Sequence, residues 1–296
     1  MGKVQENNQF SQILTTPADD QYALLDSGEG EKLEQYGDFV LSRPDPQALW
    51  RKRLPAKDWA KAHAIFRRDG RSTEWVMKAG TPAEWQMSLN NLKFKIKPTA
   101  FKHTGLFPEQ ASNWSWLEKN ISTAGRELEV LNLFGYTAGA TLACAKAGAK
   151  VCHVDASKVA ISWARENAEL SGLSDKPVRW ILDDAFGFVQ REIKRGRKYD
   201  GIIMDPPAFG HGPRGEMWKV EENFLDLLDS CKKILSDNPV FFLVNGYASG
   251  YSAIAYENSL RDLLGNGGSI EKGELTIAEK DSERLLPCGI FARWSK

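Results

Sequence analysis

LNLFGYTAGATLACAKAGAKVCHVDAS, residues 131–157, contains the clearest indication of the fold. It begins as an apolar strand, passes through a glycine-containing turn into a helix, and ends with a second strand that stops at Asp155. A strand–turn–helix–strand unit of this kind is typical of a parallel sheet covered by helices, and its first turn faces the ligand. Asp155 follows Gly135 by about 20 residues, the separation at which an acid at the second strand tip meets a ribose diol. The stretch therefore predicts a nucleoside site.

The same alternation of apolar strands and amphipathic helices continues to the end of the chain. Strands are expected at 128–134, 150–155, 178–183, 199–205 and 239–245, and helices at 158–172, 186–195, 222–235 and 252–264. Segments 270–279 and 286–294 have no helix-length segment between them, so we expect an antiparallel hairpin. We predict an α/β fold, a Rossmann-like, seven-stranded, mostly parallel sheet that ends in this hairpin.

Residues 1–103 lack this alternation. Their short apolar segments predict a small, mostly β domain for substrate recognition, followed by a second domain at 104–296. The chain has zero net charge, but residues 50–102 carry 13 Lys or Arg, among them Arg67, Arg68 and Arg71, against 4 Asp or Glu. This segment is the candidate RNA-binding surface.

Within that segment, Lys93, Lys95 and Lys97 alternate with Phe94 and Ile96. On a strand, the lysines share one face and the apolar side chains share the other. Two interpretations of the lysine face remain open. It is either the soluble face of an edge strand or a surface that meets RNA phosphates.

Composition narrows the class of protein. No apolar run approaches the roughly 18 residues that cross a bilayer, and the first ten residues lack the features of a signal peptide. We therefore expect a soluble, cytoplasmic protein. Cys144, Cys152, Cys231 and Cys288 show no CxxC spacing, so we expect buried, reduced thiols and no metal site.

The turn after the first strand distinguishes between nucleoside ligands. It reads GYTAGA, with glycines only at 135 and 139, whereas dinucleotide binding uses GxGxxG to bring a helix N-terminus against a pyrophosphate. S-adenosylmethionine has no pyrophosphate and does not need the first tight turn. The pattern favours this methyl donor over NAD.

Acids also follow the third and fourth strands. Asp183 and Asp184 precede Ala185, where a carboxylate and a backbone N–H suit adenine, although an acid there also caps the next helix. Asp205 opens the sequence DPPAF, whose prolines restrict the backbone just beyond a central strand. Open α/β sheets bind ligands at this edge, so the three acidic strand tips together predict one site.

These motifs resemble those of class I S-adenosylmethionine-dependent methyltransferases. More narrowly, TGLFPEQ at 104–110, VLNLFGYTAGAT, VDASKVAISWARENAELSGL and IIMDPPAFG resemble the bacterial 23S rRNA large-subunit methyltransferases that modify cytosine C5 or guanine N7. The resemblance implies a methyl donor, S-adenosyl-L-methionine, lying across the strand tips, and 23S rRNA as the partner. Some members of the group have an RNA-binding PUA domain, for which this chain leaves no room, so we expect RNA recognition to use residues 1–103.

The resemblance also assigns roles to residues. Asp155 is expected to hold the ribose hydroxyls, Asp184 with Ala185 the adenine, and Asp205 the methionine end or the catalytic pocket. The remaining donor-binding candidates belong to the turns around the site: Gln110, Phe134, Gly135, Tyr136, Thr137, Gly139 and Ser157. The family often has TGxxxDHR, whereas this chain has Glu109, Gln110 and Ala111 at the last three positions, so Ala111 stands where the family has an arginine.

Chemistry narrows the target atom. Methylation at pyrimidine C5 needs a cysteine nucleophile, and the loops DPPAFGHGPRG and VNGYASGYS contain none. A base nitrogen needs only alignment, stacking and an acceptor for any released proton. The catalytic candidates are Asp205, Pro206, Phe209 and Asn245, with Tyr247 a second stacking candidate. His211 is either a general base or an exposed loop histidine.

Three functions remain open from the sequence. The leading one is an rRNA base N-methyltransferase. The second keeps the methyl donor but changes the acceptor to a protein or small molecule. The third is an NAD-dependent oxidoreductase or a non-catalytic nucleotide sensor.

Overall fold

The computed structural model describes residues 11–69, 72–99, 102–247 and 250–296. Arg71 of the basic segment, and two residues of the loop after the fifth predicted strand, lie outside these ranges. Both the α/β part and the N-terminal β part are present as expected.

The α/β part is built on one sheet of eight strands. In chain order they are β1 (Gln12–Thr16), β9 (Glu129–Leu133), β10 (Lys150–Asp155), β11 (Val178–Leu182), β12 (Gly201–Met204), β15 (Phe241–Gly246), β16 (Ser269–Ala278) and β17 (Leu285–Ser295). The order across the sheet is β1-β16-β17-β15-β12-β9-β10-β11. Strands β9, β10, β11, β12 and β15 are mutually parallel, and the C-terminal pair β16 and β17 is antiparallel.

The predicted architecture is confirmed, with one more strand than expected. Residues Gln12–Thr16 pair in parallel with β16 and extend the sheet beyond the C-terminal hairpin. A short strand near the start of the chain gives no local indication of a partner more than 250 residues away, because pairing depends on the tertiary fold.

Helices cover both faces of this sheet. They are α2 (Ala111–Thr123), α3 (Gly139–Lys146), α4 (Lys158–Leu170), α5 (Ala185–Lys194), α6 (Val220–Ile234) and α7 (Ala253–Leu264). Serines cap two of them, since Ser157 Oγ accepts from the backbone N–H of Ala160 and Ser252 Oγ from that of Ile254. The central strands are buried on both sides, which explains their continuous apolar sequences.

The N-terminal part is mostly β, as predicted. A five-stranded sheet contains β2 (Tyr22–Gly28), β3 (Glu31–Tyr36), β4 (Phe39–Pro44), β5 (Ala64–Asp69) and β6 (Ser72–Met77). A separate hairpin joins β7 (Trp85–Leu89) to β8 (Leu92–Ile96), and α1 (Ala56–Trp59) is a single turn. The proposed division of the chain near residue 103 stays a prediction.

Strand β8 packs directly against helix α4. Lys95 N–H donates to Asn167 Oδ1 over 2.8 Å, and Trp163 Nε1 donates to the Lys95 carbonyl over 3.0 Å. Phe94 and Ile96 are fully buried, so the predicted alternation is confirmed. Lys95 Nζ lies 2.9 Å from a carboxylate oxygen of Glu166, which neutralises part of the lysine face. The edge-strand interpretation therefore fits Lys95 better than the phosphate-facing one.

The four cysteines are free and buried, as predicted. In the part of the chain that the structure describes, no helix is both long and apolar enough to span a membrane.

Candidate functional site

The carboxyl ends of β9, β10, β11 and β12 meet at one edge of the large sheet. A cavity of about 790 Å³ opens there, within the usual range for a small-molecule site. Every residue predicted above for donor binding or catalysis lines it, as do Tyr247 and His211. The sheet topology thus brings the predicted residues together, while their individual roles stay predictions.

The turn after β9 has an unusual backbone. Phe134, Tyr136 and Ala138 have φ values of 57°, 49° and 79°, in the left-handed region that non-glycine residues seldom adopt. Between them, Gly135 has no room for a side chain, because a Cβ would overlap the ring of His153. Strain of this kind is typical of functional sites. It turns the backbone N–H of Tyr136 toward Asp155.

Asp155 is held by two backbone amides. Its Oδ2 accepts from Tyr136 N–H and its Oδ1 from Ser157 N–H, each over 2.8 Å. Burial raises the pKa of this carboxyl, and the two amide hydrogen bonds oppose that effect. Each carboxylate oxygen keeps a further lone pair, so Asp155 can accept hydrogen bonds from a vicinal diol.

Asp183 and Asp184 are engaged locally. Asp184 caps α5, with its Oδ1 accepting from Gly187 N–H over 2.7 Å. Asp183 forms an ion pair with Arg191, and Arg214 Nη2 lies 3.6 Å from Asp184 Oδ2. The helix cap considered from the sequence is therefore present. It leaves lone pairs on Asp184 Oδ2 for a ligand amino group.

The DPP turn after β12 is braced from one side. Trp218 Nε1 donates to the Pro207 carbonyl over 2.7 Å, and Trp218 also packs on Phe134. Burial raises the pKa of the Asp205 carboxyl to about 6. Asp205 therefore ionises closer to neutral pH than an exposed aspartate.

The segment after the DPP turn is more ordered than its sequence indicated. It forms a hairpin of β13 (Phe209–His211) and β14 (Met217–Lys219), where we expected a polar loop. Phe209 is 53% exposed at the cavity edge and lies edge-on to His211. The sequence did not predict this hairpin for two reasons. Strands β13 and β14 are only three residues long, and the segment alternates glycine with polar residues.

Glu109 and Cys288 line the cavity and were not predicted as site residues from the sequence. Glu109 was noted only as a departure from the family pattern, and Cys288 lies on the C-terminal strand, far from the loops searched for a nucleophile. Burial raises the pKa of Cys288 well above its usual value, and Glu109 raises it further. A thiol held in its protonated form is a poor nucleophile. Only the tertiary fold reveals that Cys288 reaches the cavity.

Glu109 is 6% exposed, and no side chain of the described residues donates a hydrogen bond to its carboxyl. Burial raises its pKa from 4.5 to about 7, although Lys32 and Arg43 act in the opposite direction. Because the folded chain holds this proton more tightly, the resulting stabilisation is complete below pH 4.5 and is lost as the pH rises through 7.

Replacing Glu109 by glutamine is therefore expected to stabilise the protein at alkaline pH. At about pH 8 the gain should be about 2 kcal/mol, or about 4 °C in melting temperature, and it should largely disappear near pH 5. Thermal unfolding at both pH values checks this. Glu169→Gln, on the exposed surface of α4, is the matched control. Equal melting temperatures for Glu109→Gln and the parent chain at pH 8 would contradict the prediction.

The cavity fits a nucleoside joined to an amino acid. Its wall is largely apolar, with Asp155 at one strand tip and Asp205 two strands away. Among the described residues, no arginine or lysine lines the cavity wall. A pyrophosphate would favour such cationic side chains. The residues that line the cavity therefore suit S-adenosylmethionine better than a dinucleotide.

Comparisons with known proteins agree with this chemistry. Residues 56–229 match the family model described as S-adenosylmethionine-dependent methyltransferase. The chain is 28% identical over 241 residues to ribosomal RNA large subunit methyltransferase K of Neisseria meningitidis serogroup B, covering 75% of this chain and 64% of that protein. It is 34% identical over 148 residues to the K/L methyltransferase of Shewanella frigidimarina, covering 49% and 20%. The chain thus spans less than two thirds of either relative.

Solved structures show the same relationship. The S-adenosylmethionine-dependent methyltransferase from Agrobacterium tumefaciens superposes with a TM-score of 0.92 and 44% identity, covering 96% of this chain and 93% of that one. SMU.776, solved in complex with SAH, gives a TM-score of 0.72 at 18% identity, covering 93% and 76%. At that identity the second likeness shows the fold alone.

Proposed function

Because the chain belongs to the S-adenosylmethionine-dependent methyltransferase family, we propose that it methylates a base nitrogen in ribosomal RNA, in the cytoplasm. The observation that carries this proposal is the cavity that Asp155, Asp184 and Asp205 line together. These acids follow β10, β11 and β12, which lie within four adjacent strands of the sheet. The rRNA methyltransferase names of the curated relatives support the choice of acceptor.

In this proposal each end of the cavity has its own task. S-adenosylmethionine, when bound, supplies an electrophilic methyl group on a sulfonium. Asp155 accepts hydrogen bonds from the ribose hydroxyls, and Asp184 with the Ala185 N–H reads the adenine edge. Phe209 and Tyr247, exposed by 53% and 37%, offer aromatic faces on which an extruded base can stack.

Asp205 acts at the reacting end. A carboxyl with a pKa of about 6 is ionised at neutral pH and is a better proton acceptor than an exposed aspartate. Asn245 and the Pro206 carbonyl orient the base. The high pKa of Cys288 argues against the cysteine addition that carbon methylation needs, so a nitrogen acceptor is favoured.

We place the RNA contacts on the basic segment 50–102. Arg67 and Arg68 are exposed on β5, and no described residue forms an ion pair with either. Burial lowers the pKa of Lys102, and nearby cations including Arg68 lower it further. Lys102 and His103 line a small polar recess whose wall shares Glu109 and Tyr247 with the main cavity. In this proposal Arg67, Arg68 and Lys102 guide the RNA phosphates from β5 toward the site.

Replacing Arg67 and Arg68 together by alanine is expected to weaken rRNA binding about threefold and to reduce the salt slope by about one. Successive residues of β5 face opposite sides of the sheet, so the RNA surface loses one phosphate contact. Filter binding across a series of salt concentrations measures both quantities. The control, Lys232→Ala with Lys233→Ala, removes two exposed cations from α6. Equal affinities for the two double variants would remove β5 from the RNA surface.

The function itself is tested on ribosomal RNA from a strain that lacks the gene. The purified chain and tritiated S-adenosylmethionine should label this RNA but not RNA from the parent strain, and nucleoside mass spectrometry should show one methylated base. Parallel incubations with protein and small-molecule fractions complete the experiment. Label confined to either of those fractions would contradict the proposal and favour the second function considered from the sequence.

A further inference from the structure

A chain of hydrogen-bonded polar side chains connects the C-terminal hairpin to Asp205. At one end, Arg293 on β17 is 6% exposed, and its Nη1 donates to Asn113 Oδ1 over 3.2 Å. Asn113 Nδ2 donates to Gln110 Oε1 over 3.1 Å and to Asn245 Oδ1 over 2.9 Å. Gln110 Nε2 lies 3.4 Å from Asp205 Oδ2. This series of hydrogen bonds thus ends at Asp205, the acid that faces the reacting end of the cavity.

The direction of every bond in this chain follows from Arg293. A guanidinium only donates hydrogen bonds, whereas an amide has one donor end and one acceptor end. Asn113 must therefore turn its oxygen toward Arg293 and its nitrogen toward the other two amides. Gln110 and Asn245 each accept a hydrogen bond from Asn113 through their amide oxygen, so their own N–H groups can donate to other acceptors. Gln110 consequently presents a donor to Asp205.

The opposite arrangement would change the acid. If Asn113 were reversed, its oxygen would draw the N–H groups of Gln110, and the Gln110 oxygen would then face the carboxylate of Asp205. Two acceptors in contact disfavour the ionised form of a carboxyl. Asn113 is fully buried, so water cannot easily replace its bonds.

Arg293 is itself held in place. Its Nε donates to Glu271 Oε2 over 2.7 Å, and its guanidinium lies 4.9 Å from the centre of the Trp116 ring. Glu271 lies on β16 and Trp116 on α2, so the sheet and a covering helix fix the Arg293 guanidinium. This group sets the donor-to-acceptor direction of the hydrogen bonds.

We propose that Arg293 and Asn113 are positioning residues, which orient the Gln110 amide so that it donates to Asp205 and favours the carboxylate of that acid. This inference deepens the proposed function, and it rests on that function only in placing Asp205 at the reacting end. By the same polarity, Asn245 offers an N–H group, rather than an oxygen, to whatever acceptor it meets in the cavity.

The test measures the ionisation of Asp205 without RNA or methyl donor. The whole chain is labelled with carbon-13 in its aspartate carboxyls and titrated by NMR, with Asp205→Asn to assign the resonance. Arg293→Met and Asn113→Leu should each raise the pKa of Asp205 by about half to one unit. Arg293→Lys keeps a donor-only cation of similar length to methionine, and it should stay within about 0.2 unit of the parent protein.

Other ionisable groups share the cavity with Asp205, and their influence must be separated from that of the amides. They include Glu109, Asp155, Asp183, Asp184, Glu216, His103 and His211. A double-variant cycle makes the separation, because Gln110→Leu removes the final donor. In that background Arg293→Met should produce no further shift.

Equal pKa values for Asp205 in the Met and Lys variants would overturn the proposal, as would a full shift by Arg293→Met in the Gln110→Leu background. Asn113→Leu keeps the test decisive if Arg293→Met does not fold, and melting temperatures identify that case. A failure of rRNA methylation would leave these titrations unchanged, so the two proposals fail separately.

Discussion

Replacing Asp205 by asparagine is expected to reduce methyl transfer to rRNA by about 100- to 1000-fold, the range typical of a lost general base. The carboxyl lines the cavity after β12, and burial raises its pKa to about 6. At neutral pH it is ionised and can accept the proton that a base amine releases. Asparagine keeps the shape but cannot accept that proton.

The pH profile adds a second measurement. Activity of the parent chain should fall as the pH drops through about 6, where Asp205 becomes protonated. The residual activity of Asp205→Asn should lack this decrease. Affinity for S-adenosylhomocysteine should stay within about threefold, because the variant keeps a polar side chain of equal size.

Asp226→Asn, on the exposed side of α6, is the control for Asp205→Asn. It should retain full activity in the tritium assay. Activity of Asp205→Asn within about fivefold of the parent would show that no proton acceptor is needed there, and would contradict its catalytic role.

Replacing Asp155 by asparagine is expected to weaken S-adenosylhomocysteine binding by about 100-fold. Hydrogen bonds to a charged group contribute about 1.5–3 kcal/mol each, and a ribose diol supplies two. Asparagine also sets an N–H group against one of the two backbone amides, Tyr136 N–H or Ser157 N–H, that now donate to the carboxylate. Isothermal calorimetry measures the loss.

The matched control for Asp155 is Asp175→Asn, on the exposed turn after α4. It should bind S-adenosylhomocysteine as the parent chain does. Melting temperatures should show that both variants fold. If the two variants bound equally well, Asp155 would not be the ribose residue.

The α/β part of the fold was predictable because its signals are local. Strand and helix periodicity, the Ser157 cap and the antiparallel C-terminal pair all follow from nearby residues, and the structure confirms them. Strand β1 was missed because its partner is at the other end of the chain. The β13–β14 hairpin was missed because its short strands contain glycine and charged residues rather than an apolar alternation.

The site divides in the same way. Acids at strand tips could be found from the sequence, since parallel strands end at one edge of a sheet. Cys288 and Arg293 could not, because they come from the antiparallel strand β17 and approach the site only through sheet pairing with β15. The hydrogen bonds among Gln110, Asn113 and Asn245 likewise depend on distances between three elements.

Sequence position also gave incomplete information about glycine. The motif placed Gly135 in a turn that faces the ligand. In the structure the nearest obstacle to a side chain at 135 is the buried ring of His153, whose Nδ1 hydrogen-bonds to Thr141 Oγ1 over 2.8 Å. Burial lowers the pKa of His153 to about 3, so this ring is neutral and serves as packing beneath the turn.

The heat of binding of S-adenosylhomocysteine to the purified chain, measured beside NAD in the same buffer, tests the assignment of the cavity most directly. We expect saturable binding of one nucleoside per chain and no saturable heat from NAD. Saturation by NAD together with no heat from S-adenosylhomocysteine would contradict the assignment of the cavity at the tips of β9, β10, β11 and β12.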